Sequence, residues 1–588
     1  MRFNSKKTPS AATGSKSISR RGHNRRFSYS TKPAPPPDHL PRAPRPSGQD
    51  QSTQKAWARF HEHLRSGNED AALNAAADLI RGRSSESVRS TIHKFRKQYR
   101  ANHLAAFERD LGIQLLVQAF FEERGALLNF EGEPYLQAED GNVLELHRDS
   151  ESPSRALLPL GVRTTDKIYP IVAQGLRDAA LLREGKKDLC WFGHLDPAKS
   201  LVHIHDQGST AFQITSESIG RIPLSSSPVG FRRIRPSQEF LLQEATTRRF
   251  QDEILGIIPF EDGAFPADHQ RLLLWAYVVS LLIPGYFPTR PILLAIGPTN
   301  SCKTSTLRLL GRTLLGPRFD VMPEPGSTRD LTAVIQNHYI AAFDNIDTGL
   351  HKKLIDFLCG HATGGSSNNR KLYTDCDVVE VPFQNHLWLS SRNASFSRDD
   401  LATRFLPIQL RHTPMGQRVT ERELQDRVSE GRETYLSELA TDLQRFLARK
   451  CGHPTTFPPI TRMADFDVFA QELAAAHGQH AEMMNALNSM KMFQAIQRRT
   501  GEVLFPILDA WLAVDGNLGR EIRQKELHDE LLQISQGTQY AGHLEENSQR
   551  FGNLLTKLST VLETDYGHVK EIRGGDQPWH TFTRMPNS

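Results

Sequence analysis

Apolar residues recur every three or four positions through AWARFHEHL, DAALNAAADLI and FERDLGIQLLVQAFF, so the spacing predicts helices across residues 51–130. Between them, SVRSTIHKFRKQYRANH continues the helical pattern and crowds Arg89, Lys94, Arg96, Lys97 and Arg100 into one span. Such a run is either a solvated face or a surface for phosphates. Over 131–235 the pattern changes to short alternating runs, SLVHIHD, AFQIT and VGFRRI, which predict strands of an α+β domain. His203 and His205 share one face of such a strand; without a third ligand nearby they read as structural. The apolar stretch Leu272 to Pro284 is shorter than the roughly 20 residues a bilayer requires, and predicts a buried helix. Three continuous apolar runs follow, PILLAI, HYIAAF and HLWLSS, as expected of strands covered on both faces. Beyond Met490, VLFPILDAWLAV, IRQKELHDELLQI and QRFGNLLTKLSTVLE are helical, and HVKEIRGGDQPWHTFTRM predicts two strands around a Gly-Gly turn. Helices followed by a hairpin fit a winged-helix domain over 490–588, with Arg550, Lys557, Lys570 and Arg573 turned to DNA or, alternatively, the module used for protein contacts.

Composition adds limits. With 588 residues, 38% hydrophobic and 24% charged, the chain is long enough for several domains that each bury a core. Five scattered cysteines without a CxxC pair argue against a disulfide framework or a zinc ribbon. The N-terminus lacks an apolar signal region, so a soluble cytoplasmic protein without membrane partners is expected. Residues 1–50 hold eleven Lys and Arg against two Asp, a net +9 where the whole chain carries +5. This Ser- and Pro-rich tail has too few large apolar residues to offset ordering entropy and is expected to be disordered. A nucleic-acid arm, a solubilising leader and a transit peptide all fit it.

The sharpest chemical signal is the run from Ile292 into Gly297, Pro298, Thr299, Asn300, Ser301, Cys302, Lys303, Thr304 and Ser305, with a helix after it. It follows the Walker A pattern GxxxxGK[ST], with Cys302 in place of the second glycine. Backbone N–H groups of such a loop wrap phosphates, Lys303 reaches the β- and γ-phosphates of ATP, and the Thr304 hydroxyl ligates Mg²⁺. About forty residues on, HYIAAFDNID places Asp344 at the end of an apolar strand, the position that holds Mg²⁺ in such sites. Asn345 stands where a water-activating Glu is frequent; Asp347 is a candidate substitute, and otherwise hydrolysis is slow. An N-cap explains the same residues without a nucleotide. Ser390 or Asn393, ending the third strand, suits a sensor of the γ-phosphate. Arg398 and Arg404 follow; either could reach a neighbouring subunit's nucleotide, and Arg404 could instead pair with Asp400 at i,i+4.

Taken in order, the Walker A run, DN, ATGG, RKLYTD, the polar-ended strand and RDDLATR resemble the superfamily-3 branch of the AAA+ ATPases, most closely the primase-associated ATPases of phages, plasmids and integrated bacterial elements. The resemblance runs from VGFRRI to RMADFDVFAQELAAA. It implies an α/β P-loop NTPase core of AAA+ type over 236–480, an α+β N-terminal region and the C-terminal winged helix. It further implies a hexameric ring that hydrolyses ATP between subunits and moves along single-stranded or fork DNA, with any primase a separate protein. Lys303, Thr304 and Asp344 match the ATP and Mg²⁺ roles, and Arg404 matches the arginine of the DLxxR motif. Cys302 and Ser390 depart from the pattern, the latter where relatives carry Asn. A hairpin before the sensor strand would bring Arg370, Lys371 and Tyr373 to DNA. The expected function is ATP-dependent helicase or translocase action in replication of a mobile element. The alternatives are a nucleotide-switched assembly or defence ATPase and a degenerate P-loop scaffold.

Overall fold

The computed structural model describes residues 49–130, 132–146, 153–183, 189–232, 234, 237–245, 247–324, 327–346, 352–370, 378–383, 385–392, 399–452, 457–500, 504–536, 544, 547–573 and 578–585. The basic tail, Asp347, Lys371, Tyr373, Asn393 and Arg398 lie outside these residues. Two compact units divide the chain, Met1–Lys55 and Ala56–Ser588; of the first, the start of one helix is described.

The helical periodicity of the N-terminal part becomes α1 (Gln49–Ser66), α2 (Glu69–Ile80), α3 (Ser85–Gln98) and α4 (Ala106–Glu123). Side chains of Asn68 and Ser84 accept from the first-turn N–H groups of α2 and α3, which sets where those helices begin. A small antiparallel sheet follows, β1 (Leu127–Phe130), β2 (Glu133–Gln137) and β3 (Val143–Glu145), then α5 (Ser154–Leu157) and α6 (Tyr169–Leu181). From Ala56 to Ala180 these elements share one hydrophobic core.

Next come β4 (Leu189–Cys190), a four-stranded antiparallel meander of β5 (Gly193–Asp196), β6 (Leu201–His205), β7 (Thr210–Ile214) and β8 (Ile219–Pro223), and β9 (Gly230–Phe231). His203 and His205 do sit on one strand, both buried. The meander shares its apolar core with everything from Phe240 to Phe493. A Cβ on Gly193 would lie 2.0 Å from the Leu282 carbonyl, so only glycine lets β5 come this close to the end of α7 (Ala267–Ser280). The apolar run that includes Leu272 is indeed a helix, buried along most of its length.

The central sheet is parallel, in the order β11, β14, β10, β15: Ile340–Phe343, His386–Ser391, Ile292–Ile296 and Phe405–Gln409. β10 is buried at all five residues, the consequence of having neighbours on both edges and helices on both faces. Helices α8 (Lys303–Leu315), α9 (Thr328–Asn337) and α10 (Lys352–Ala362), with the antiparallel pair β12 (Ser366–Arg370) and β13 (Val378–Pro382), lie between β10 and β14 in the chain. The short α11 (Asp399–Ala402) leads into β15. Long α12 (Glu421–Gly452) is followed by α13 (Ala464–Ala476) and α14 (His480–Thr500).

Residues 237–245 form an extended strap that no periodicity announced. The N–H groups of Leu241, Gln243 and Ala245 donate to Glu433, Ser437 and Thr441, every second strap residue meeting every fourth residue of α12. Farther on, Arg249 N, Phe250 N and the Thr247 hydroxyl converge on the carboxylate of buried Glu438, whose pKa burial pushes upward. Buried Arg432 donates to the carbonyls of Thr313 and Leu314, the end of α8, and so completes that helix C-terminus from α12.

The C-terminal elements, α15 (Leu504–Leu512), β16 (Ile522–Arg523), α16 (Gln524–Gln536), α17 (Ser548–Lys557), α18 (Ser559–Tyr566), β17 (His568–Glu571) and β18 (Trp579–Phe582), enclose a separate core from Leu504 to Phe582. The single helical run anticipated around Leu558 is two helices. The sheet order is β16, β18, β17, with His568 Nε2 2.8 Å from His580 Nδ1 between the hairpin strands.

Two stability tests follow from this packing. Glu438→Ala removes the acceptor of the Arg249 and Phe250 N–H groups and of the Thr247 hydroxyl; at roughly 1–3 kcal/mol per orphaned buried donor, we expect a loss of about 3 kcal/mol in urea unfolding and a smaller loss for Glu438→Gln. Burial lowers the pKa of His361 and His568 to about 4 and of His580 to about 3, with the neighbouring His568 adding to the last. These imidazoles fold neutral and protonate when unfolded, so their stabilisation is complete above about pH 6.5 and is lost as pH falls towards 4, by up to ~1.4 kcal/mol per pH unit per group. A urea midpoint that stays flat from pH 7 to pH 5 would contradict this.

Candidate nucleotide site

Because the sheet is parallel, the carboxyl ends of β10, β11 and β14 reach one edge, the place where open α/β sheets carry ligands. The Gly297–Cys302 loop leaves β10 at that edge and enters α8. It is tied on both sides: Gly297 N donates to Ser391 O at 3.2 Å, and Asn300 O accepts from Thr413 N at 3.1 Å. A Cβ on Gly297 would stand 2.3 Å from the Leu410 carbonyl and 2.5 Å from Ser301 Oγ, so glycine is required there by space. Two positions downstream are set by dihedral angle instead. Asn300 and Cys302 have φ of +69° and +61°, left-handed values at non-glycine residues. The substitution that the sequence pattern marks as a departure is therefore a strained one.

Lys303, the first residue of α8, is buried and turns its ammonium back into the loop. Nζ donates to Gly297 O at 2.7 Å and Pro298 O at 2.9 Å. Pro298, Thr299 and Asn300 are exposed around it, Ser301 is buried, and Ser305 is half-buried. Thr304 Oγ1 donates to Asp344 Oδ2 at 2.8 Å. The other oxygen of that carboxylate accepts the Ser390 hydroxyl, and the same hydroxyl takes the Asn345 N–H at 3.0 Å. Thr304, Asp344 and Ser390 thus form one hydrogen-bonded row across the edge of β10, β11 and β14. Asn345, at φ +54°, is held by its backbone, and its side chain is exposed. The Thr304 hydroxyl and Asp344 carboxylate are a hard oxygen pair that fits Mg²⁺.

A cavity of about 170 Å³ opens on the outer side of the loop, between Ile257, Ile258, Cys302, Thr306, Leu309 and Arg418. Sequence pattern gave no sign of it, since residues 256–259 and 411–424 reach the loop only through folding.

Arg404 lies elsewhere. Its carbonyl accepts from Ile292 N at the start of β10, and β15 runs from there parallel to β10, so Arg404 is at the opposite end of the sheet from the loop. It is 8% exposed. Arg370 is the last residue of β12, opposite Val378. On the C-terminal hairpin, Arg573 is engaged by the carboxylates of Glu521 and Glu571, at 2.7 Å to each, while Arg550 is exposed.

The left-handed φ at Cys302 makes a direct test. Cys302→Gly should be more stable than Cys302→Ala by about 1 kcal/mol, the net of relieved left-handed strain and glycine's added chain entropy. Paired thermal melts that rank the alanine variant equal or higher would contradict the strain.

Residues 253–491 match the family model described as actinomycete integrative conjugative element replication protein. No curated protein matches the chain. Among solved structures, two of the apo A form of the NrS-1 C-terminal region are similar at 10% identity. One covers 64% of this chain and 94% of its own at a TM-score of 0.29. The other covers 78% and 96% at 0.34. No helix of the described residues is long and apolar enough to cross a membrane. The segment that bears the loop, Asp344 and Ser390 is similar to the replication protein of a mobile genetic element.

Proposed function

We propose that this chain is an ATP-driven DNA motor, a helicase or translocase working in replication of a mobile element, built on a P-loop NTPase core of AAA+ type. The observation that carries the reading is the row Lys303, Thr304, Asp344 and Ser390 at the carboxyl edge of a parallel sheet. Phosphates seat in the Gly297–Cys302 loop, where main-chain N–H groups and the N-terminus of α8 face them, and Lys303 turns its ammonium from the loop carbonyls to the β- and γ-phosphates. Thr304 and Asp344 hold Mg²⁺, which when bound neutralises charge on the transferring phosphoryl group. Ser390 orients the Asp344 carboxylate through its hydroxyl. The base occupies the cavity beside Leu309 and Ile257. The ring assembly and the reach of Arg404 to a neighbour's nucleotide belong to this proposal, as does the winged-helix use of residues 504–582.

One observation favours a slower, switch-like enzyme: Asn345 supplies no carboxylate where an attacking water would be activated. Strand separation distinguishes the two.

ATP turnover by the full chain, with and without single-stranded DNA, is the test. We expect stimulation by DNA and a loss of at least 100-fold in Lys303→Ala, in line with removal of a transition-state donor. Turnover without strand separation would select the switch, and wild type that binds no ATP would overturn both readings.

A further inference from the structure

The helical N-terminal region, outside the segment that matches the replication-protein family, carries a second feature that calls for a ligand. Helix α3 buries Val88, Thr91, Ile92 and Phe95, which turns Arg89, His93, Lys94 and Lys97 outward on the opposite side. The 160–166 loop rises against that side. A Cβ on Gly161 would meet Arg89 Cγ at 3.2 Å, and the loop presents exposed Arg163, with exposed Lys167 just beyond it. Between helix and loop lies an open groove of about 570 Å³ lined by Arg89, His93, Arg96 and Arg163 together with Glu86 and Asp166. Arg96 and Asp166, 3.4 Å apart, join its two walls. Among the described residues no carboxylate is within ion-pair distance of Arg89, Lys94, Lys97, Arg163 or Lys167. Arg89 and Arg163 thus line the groove without a carboxylate partner, and Lys94, Lys97 and Lys167 are exposed outside it.

We propose that this groove and the outer face of α3 bind the phosphate backbone of duplex DNA without regard to sequence. The lining carries three arginines against Glu86 and Asp166 and has no Phe, Tyr or Trp; its one ring is the His93 imidazole. Tyr99, at the end of α3, is half-buried, with the guanidinium of Arg109 5.1 Å from its ring centre. A single strand is gripped by stacking its bases on aromatic side chains, whereas a duplex offers only phosphates to such a surface. Arg and Lys on a helix face with a gap alongside are what backbone contacts require. The surface would hold the protein on double-stranded DNA independently of whatever the P-loop edge does with nucleotide.

The test is fluorescence anisotropy of a labelled random-sequence duplex against the full chain, without nucleotide, over a salt series. Each neutralised phosphate contact contributes about 0.9 to the slope of log K against log salt. The combined variant Arg89→Gln, Lys94→Gln, Lys97→Gln and Arg163→Gln should lower the slope by about 3–4 and the affinity at ~0.1 M salt by at least tenfold. Arg89→Lys with Arg163→Lys keeps the charge and should keep the affinity. Lys303→Ala should bind duplex as wild type does, so failure of the nucleotide reading leaves this measurement intact. An unchanged slope in the fourfold variant would overturn the proposal. So would an equal loss on neutralising the exposed Arg65, Arg318 and Arg422, or a fourfold variant that loses single-stranded DNA or duplex RNA binding while its duplex DNA binding is unchanged.

Discussion

The parallel pairing of β10 with β14 on one side and β15 on the other is the constraint from which the site derives. Ala295 opposite Ser390, and Phe343 opposite Leu389 one strand farther out, fix which residues come off the sheet together. A slip of one residue in the β11–β14 ladder would turn every β11 side chain to the other face and separate Asp344 from Ser390, and one in the β10–β14 ladder would shift both away from the loop. The loop adds little regular structure of its own. Its shape depends on Ser391 and Thr413, which the neighbouring strands deliver, and on the space that Gly297 leaves for Leu410 and Ser301.

Helix α12 secures this arrangement from outside. Arg432 reaches the open end of α8, and Trp275 of α7 donates to Asp442 at 2.8 Å. The buried guanidinium has its pKa lowered to about 10 by burial, and it is matched to main-chain carbonyls rather than to a carboxylate. A cation there answers the negative end of the α8 dipole, opposite the end at which the proposed phosphates enter. The two ends of one helix thus take charges of opposite sign.

Much of the sheet was legible in the sequence because burial on both faces leaves an unmistakable mark: ILLAI, IAAF and HLWLSS are continuous apolar runs and each is a strand. Lys303, Thr304 and Asp344 could be named together because their spacing is local or spans one strand–helix unit. The strap could not be found this way. Its partners are about 190 residues away, and its ladder is made by main-chain N–H groups, which every residue but proline possesses. The cost of Cys302 was visible as a departure, but its cause, a left-handed φ, is a property of the folded loop. The same holds for Arg573: a hairpin arginine looks free in a sequence, and Glu521, some fifty residues earlier, is what occupies it.

The strap on α12 works as a pair of rulers with different graduations. Two residues of extended chain advance roughly 6.6 Å, and four residues of helix advance 6.0 Å, so each rung brings about 0.6 Å of misfit. The hydroxyls of Ser437 and Thr441 absorb some of it, since each accepts from the strap while donating back to its own helix one turn earlier. The ladder has three rungs, and the next contacts fall three residues back along α12, at Glu438. A vernier of this kind engages well at one setting only: displaced by less than a full rung, all three contacts fail together.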